Sequence, residues 1–214
     1  MLHYLPGCDV RKNHPQAIAK IEQYMLKKGA TIAQCCRTKQ QLLKEGDTIV
    51  HNCTMCQLIL DEVYPNNQCL SLYEYILNDQ AFPFANHHQQ AIIIQDCWRM
   101  KNHQNFQKAI RECVKQMNFH IIEMPDCFEK ASFCGVWRYN ALPQDCLKLA
   151  PNTFWKIQKD VHLLSQNEQI EKMKQWVQRY HHQKVIVYCN GCEKGIRLGQ
   201  GECWHMVELL AQGL

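Results

Sequence analysis

The sequence predicts an α/β fold made of two repeated halves, each a parallel sheet with flanking helices. Three observations predict it. Short β-rich runs alternate with stretches of helical period, the alternation occurs twice along the 214 residues, and cysteines close the runs in the same order both times. Strand–helix–strand alternation gives parallel strands joined by right-handed crossovers, so each half is expected to be Rossmann-like.

The first half opens with a β-rich run at 3–6. A helix over 14–28 follows, with Ile18, Ile21, Tyr24 and Met25 on one face at the 3.6-residue period. Runs at 31–34 and 48–52 come next, and the second leads through Cys53-Thr54-Met55-Cys56 into another helix-like segment. Asn86-His87-His88-Gln89-Gln90 is a polar connector and divides the chain into modules 1–86 and 87–214. The second module repeats the plan, with runs at 91–95, 119–123 and 184–188. Its helix over 103–117 carries Phe106, Ile110, Cys113 and Val114 in the equivalent places. An insertion around 140–183, with a helix over 167–180, lengthens this copy.

The duplication extends beyond cysteine. The shift that lays Cys8 on Cys97 also lays Lys12-Asn13-His14 on Lys101-Asn102-His103, Ile21 on Ile110 and Ile32 on Ile121. The shift that lays Cys53 on Cys189 matches Thr48-Ile49-Val50 to Lys184-Val185-Ile186. Matches in register with the cysteines indicate two copies of one unit, with two half-sites about a pseudo-twofold as the structural consequence.

Of the 14 cysteines, those in the repeat are Cys8, Cys35, Cys36, Cys53 and Cys56 in the first half and Cys97, Cys134, Cys189 and Cys192 in the second. Several sit at the carboxyl ends of predicted strands, the edge where parallel α/β folds bind ligands. The second cysteine of each Cys-x-x-Cys opens a helix, whose positive dipole end stabilises a thiolate. Thiolates gathered in this way bind soft metals or carry out redox chemistry.

Composition narrows the class. A net charge of +4, evenly spread, does not argue for nucleic acid. No run approaches the roughly 18 unbroken apolar residues of a membrane span, and Met1-Leu2-His3-Tyr4 leads into a strand, not a signal peptide. A secreted disulfide framework belongs to shorter, loop-rich chains, so the reducing cytoplasm is the expected location.

Tyr4-Leu5-Pro6-Gly7-Cys8, Cys35-Cys36, Cys53-Thr54-Met55-Cys56, Asp96-Cys97, Phe133-Cys134-Gly135 and Tyr188-Cys189-Asn190-Gly191-Cys192 together resemble the cysteine-rich CCG module. That module occurs in heterodisulfide reductase B-type subunits and, in tandem, in the iron–sulfur subunits of glycolate oxidase and lactate-utilisation complexes. Gly195-Ile196-Arg197-Leu198-Gly199 and Trp204-His205-Met206 resemble the family's C-terminal helix. The resemblance implies an iron–sulfur oxidoreductase subunit that passes electrons through cysteine-bound [4Fe–4S] clusters to a disulfide, of a small molecule or a protein, or to another acceptor. In the family, five cysteines of one module hold a non-cubane [4Fe–4S] cluster. The first half keeps all five positions, in Cys8, Cys35, Cys36, Cys53 and Cys56. The second has Phe133 at the first paired position, leaving four thiolates, enough for an ordinary cluster or a zinc ion. No ferredoxin-type cysteine run is present, which implies a separate ferredoxin-like or flavoprotein donor.

Two other readings stay open at this point: a non-enzymatic zinc module, and a metal-free thiol–disulfide oxidoreductase using Cys53 and Cys56. Cys69, Cys113, Cys127, Cys146 and Cys203 are expected as core or surface thiols, Cys127 being the one placed to replace a missing ligand. His14 and His103 stand at helix starts, either packing there or donating protons to the site. Trp98 and Trp137 flank site cysteines and would shield them from water.

Overall fold

The computed structural model describes residues 1–34, 36–37 and 43–214. It is α/β, with two four-stranded sheets, both parallel throughout. The first half runs β1 (Leu2–Leu5), α1 (Cys8–Asn13), α2 (Pro15–Lys27), β2 (Thr31–Ile32), β3 (Thr48–His51), α3 (Thr54–Val63), β4 (Gln68–Ser71) and α4 (Leu72–Leu77). Its strands lie in the order β2-β1-β3-β4.

The second half repeats this order. β5 (Ala91–Ile94), α5 (Gln104–Gln116) and β6 (His120–Ile122) are followed by the insertion, with α6 (Gln144–Leu149), α7 (Pro151–Gln158) and α8 (Gln166–Gln178). β7 (Val185–Val187), α9 (Asn190–Leu198), β8 (Cys203–His205) and α10 (Met206–Gly213) complete the sheet, in the order β6-β5-β7-β8.

The central strands explain themselves. Ile49 and Val50, Ile92 to Ile94 and Val185 to Val187 are covered on both faces by helices, and a strand buried on both faces reads as a continuous apolar run. The helices flanking them bury the stripe their period marks: Ile18, Ile21, Tyr24 and Met25 on α2, and Phe106, Ile110, Cys113 and Val114 on α5.

Three expectations change. β4 and β8 are edge strands with mixed composition, Gln-Cys-Leu-Ser and Cys-Trp-His, and carry no apolar run to betray them. The C-terminal segment is not one helix. α9 stops at Gly199, the chain turns through Gln200 at φ 65, and β8 precedes α10. The insertion holds three α-helices instead of one, and Pro151 at the first turn of α7 was a legible start signal.

Packing ties the halves reciprocally. α10, from the second half, packs on α2 of the first, and α4, from the first, packs on α5 of the second. Lys20 Nζ donates to the carbonyl of Ala211 at 2.9 Å on one side. On the other, Tyr73 meets Phe106 edge to face at 5.4 Å. A single apolar cluster runs through both sheets. Among the described residues no helix is long and apolar enough to cross a membrane.

Candidate metal centre

The carboxyl edges of the two sheets open on a shared cavity of about 990 Å³, walled by Cys8, Cys36, Cys53 and Cys56 from one half and Cys189 from the other. Cys8 begins α1 directly beyond β1. Gly7, at φ 74, makes the turn, and a Cβ there would fall 2.8 Å from that of Cys53. Glycine is what lets the end of β1 and the cysteine after β3 approach. Cys53 and Cys189 occupy the same post in each half, the N-cap of the helix that follows a central strand. Cys56 and Cys192 lie in the first turns of those helices, and both are buried.

In the second half four buried thiols converge. Cys97, Cys189 and Cys192 place their sulfurs within 4.8 Å of one another, and Cys134 Sγ is 3.6 Å from that of Cys97. Cys134 is the N-cap of a short 3-10 segment, Gly135–Tyr139, laid across α9. The crossing is closer than side chains allow. A Cβ on Gly135, itself at φ 54, would sit 1.8 Å from the carbonyl oxygen of Gly191. Gly135→Ala is therefore expected to cost about 3 kcal/mol or more, read as a drop in the denaturation midpoint. An unchanged midpoint would mean that the crossing is not this close.

Arg99 is the electrostatic centre of the cavity wall. Its guanidinium, buried, donates through Nη2 to Cys189 Sγ at 2.7 Å and stacks on Trp137 with 4.6 Å to the ring centre. Its charge is felt by Cys189, Cys134, Cys97 and, across the pseudo-twofold, Cys53. Burial alone would raise the Cys189 thiol, but hydrogen bonds from Cys134, Cys192 and Cys97, with Arg99 beside it, hold it well below the usual thiol range. A hydrogen bond from Cys56, against the cost of burial, likewise lowers Cys53.

A second buried network sets the position of Cys97. Arg111 grips Asp96 through both Nη1 (3.2 Å) and Nη2 (2.8 Å). Tyr188 donates its hydroxyl to Asp96 Oδ1 at 2.8 Å and accepts the Cys97 backbone N–H at 2.9 Å. Bidentate charge-assisted bonds of this kind fix orientation as well as adding energy.

In the first half, hydrogen bonds with Cys36 and Cys53, together with burial, push the Cys56 thiol well up, so these three form one group. Cys8 is exposed at the cavity mouth and accepts from Arg37 Nη2 at 3.2 Å. Arg37 also pairs with Asp145 at 3.2 Å, bringing the start of α6 over this half. Cys35 lies outside the described residues.

No family model matches the chain, and neither a curated protein nor a solved structure matches it.

Of the other cysteines, burial pushes Cys69 up to about 11 and Cys203 to about 12, as for protonated thiols packed in apolar surroundings. Cys127, placed by the sequence to replace a ligand, stands outside the group of converging thiols. It precedes a turn that places it beside Glu123, Arg111 and Asp96, and Cys134 completes the thiol group instead. His14 and His103 are both helix N-caps without a side-chain cap bond. Arg99 was missed in the sequence. Its one signal is the contrast with Val10, the apolar residue at the same offset from Cys8.

Proposed function

We propose that this protein is an iron–sulfur oxidoreductase subunit of the tandem CCG type, passing electrons from a separate donor to a disulfide or other acceptor in the shared cavity. One observation carries the reading. The described cysteines of the first set and Cys189 of the second line one cavity at the carboxyl edges of two parallel sheets, with the buried Arg99 bonded to Cys189 in its wall. The residues fit an anionic cluster: converging thiols, helix N-termini at Cys56 and Cys192, and the Arg99 cation. A cluster held there supplies one-electron steps. The protein's own part is to hold the sulfurs, to screen them from water with Trp137, and to offer Arg99 and Arg37 to an electron-rich acceptor. Chemistry of this kind suits the reducing cytoplasm, with a ferredoxin-like or flavoprotein partner as donor.

The second half supports a narrower reading as well. For metal–sulfur bonds of about 2.3 Å the edges of a tetrahedron are about 3.8 Å, and the separation between Cys97 and Cys134 is 3.6 Å. Four thiols so close suit a single zinc ion, leaving the first half as the redox site.

Anaerobic purification with iron, sulfide and zinc analysis and electron paramagnetic resonance separates the readings. About four irons and four sulfides per chain, lost in Cys36→Ala, are expected for a redox cluster in the first half. A colourless protein holding zinc and no sulfide after anaerobic reconstitution would leave a structural module.

A further inference from the structure

Beside the cysteines, another group of ligand-type side chains, drawn from both halves, meets the cavity through two of its members, His14 and Glu193. His14, at the corner between α1 and α2, sets Nε2 2.8 Å from Oε2 of Glu193 on the first turn of α9. His205, the N-cap of α10, lies against it with ring centres 4.7 Å apart. One ligand atom from each of His14, Glu193 and His205 lies within 4.8 Å of the others, and all three residues are buried.

The surroundings of the two rings fit ligation. His14 Nδ1 faces Oε1 of Glu208 at 3.2 Å. With the ring proton on that nitrogen, Nε2 is left with its lone pair, the carboxylate–histidine pairing that orients imidazoles at metal sites. His205 Nε2 is buried without a hydrogen-bond partner among the described residues.

The pseudo-repeat provides an internal control. Ser71 and Glu74 open α4 as His205 and Glu208 open α10, each pair forming a capping box. Ser71 does this with an ordinary hydroxyl, accepting from Glu74 N at 3.1 Å. His205 does it poorly, its Nδ1 accepting from Val207 N at 3.4 Å. Gln57 stands after Cys53 where Glu193 stands after Cys189, and His103 answers to His14. Capping therefore does not require a histidine at 205. Where one side of the pseudo-twofold has His103, Gln57 and Ser71, the other side brings two imidazoles and a carboxylate to one point.

We propose that His14, Glu193 and His205 form a binding site for one divalent first-row transition ion of the zinc class, fastening the α1–α2 corner of the first half to α9 and α10 of the second. Two imidazoles and one carboxylate are a donor set for borderline ions with coordination positions to spare, and the cavity, which His14 and Glu193 also line, can supply water to those. On loading, the His14–Glu193 hydrogen bond is exchanged for two bonds to the ion, and a proton on His14 Nε2 leaves to solvent. His205 ligates through Nε2 with its proton on Nδ1, giving up the long Val207 contact.

Cobalt(II) chloride is the probe, added to the full chain purified anaerobically with whatever its cysteines hold. About one equivalent is expected to bind with d–d absorption and without sulfur-to-cobalt charge transfer. This equivalent is lost in His205→Ala and in Glu193→Gln and kept in His103→Ala. Cobalt bound only with sulfur charge transfer, no binding at all, or nitrogen- and oxygen-bound cobalt that survives both substitutions overturns the proposal. Should His205→Ala lose its circular dichroism spectrum, the near-isosteric Glu193→Gln decides. Because charge transfer reports the cysteines and d–d bands without it report the histidines, this outcome is independent of the iron content.

Discussion

Replacing Cys134 with alanine is expected to strip the second half of its metal while leaving the content of the first half unchanged. Cys134 is one of four buried thiols, at 3.6 Å from Cys97, and joins the hydrogen-bonded set with Cys189 and Cys192. Substituting a residue in the outer shell of a metal site commonly costs 10–100-fold in affinity, so loss of a ligand is expected to cost more than about 100-fold. Metal bound by the folded chain is also folding free energy, so the thermal midpoint should fall with it. Metal content per chain, chelator competition and a melting curve read all three. Unchanged metal content in Cys134→Ala would show that the four thiols do not act as one site. Parallel loss from the first half would show that the two sites are not separate.

Arg99→Leu is expected to produce the largest electrostatic effect in the molecule. The guanidinium is buried, bonded to Cys189 at 2.7 Å and stacked on Trp137. Its removal leaves thiolate charge uncompensated in a buried wall, and breaking a buried pair in this way costs about 3–5 kcal/mol. A second consequence is electronic. With one positive charge fewer beside the centre, an added electron is less well stabilised, and the midpoint potential falls. Arg99→Lys separates the two effects. It restores the charge, and so part of the potential, but not the fork that bonds sulfur or the plane that stacks on Trp137. A redox titration and a thermal denaturation of the two variants provide the check. A potential and a melting point both unmoved in Arg99→Leu would remove Arg99 from the electrostatics of the site.

Much of the architecture was legible because local and global signals agree in the central strands. Ile92 to Ile94 and Val185 to Val187 read as β-rich runs, and they form strands. The edges read poorly for a physical reason. β4 and β8 have a neighbour on one side only and need no continuous apolar run, so Gln68 and His205 stand where a central strand would carry Val or Ile. The cysteines were visible through their spacing, but Arg99 and Glu193 were not. Each matters through partners distant in sequence, and only the contrast with Val10 and Gln57 in the other copy marks them. The crossing of Gly135 over Gly191 belongs to the same class, a tertiary contact between segments separated by the whole insertion.

The reciprocal seating of α4 and α10 bears on how such a chain could arise. Each copy packs its last helix on a helix of the other, which is the arrangement of a symmetric homodimer of a single module, here written into one polypeptide. In two separate chains the association would depend on protein concentration. Once joined, it proceeds at the millimolar effective concentration that a short connection provides. Identity of the two surfaces, which a symmetric dimer enforces, is then no longer required. Val10 against Arg99, Gln57 against Glu193 and Ser71 against His205 are differences such a release permits, and they place a cation and a carboxylate, Arg99 and Glu193, in the wall of the shared cavity.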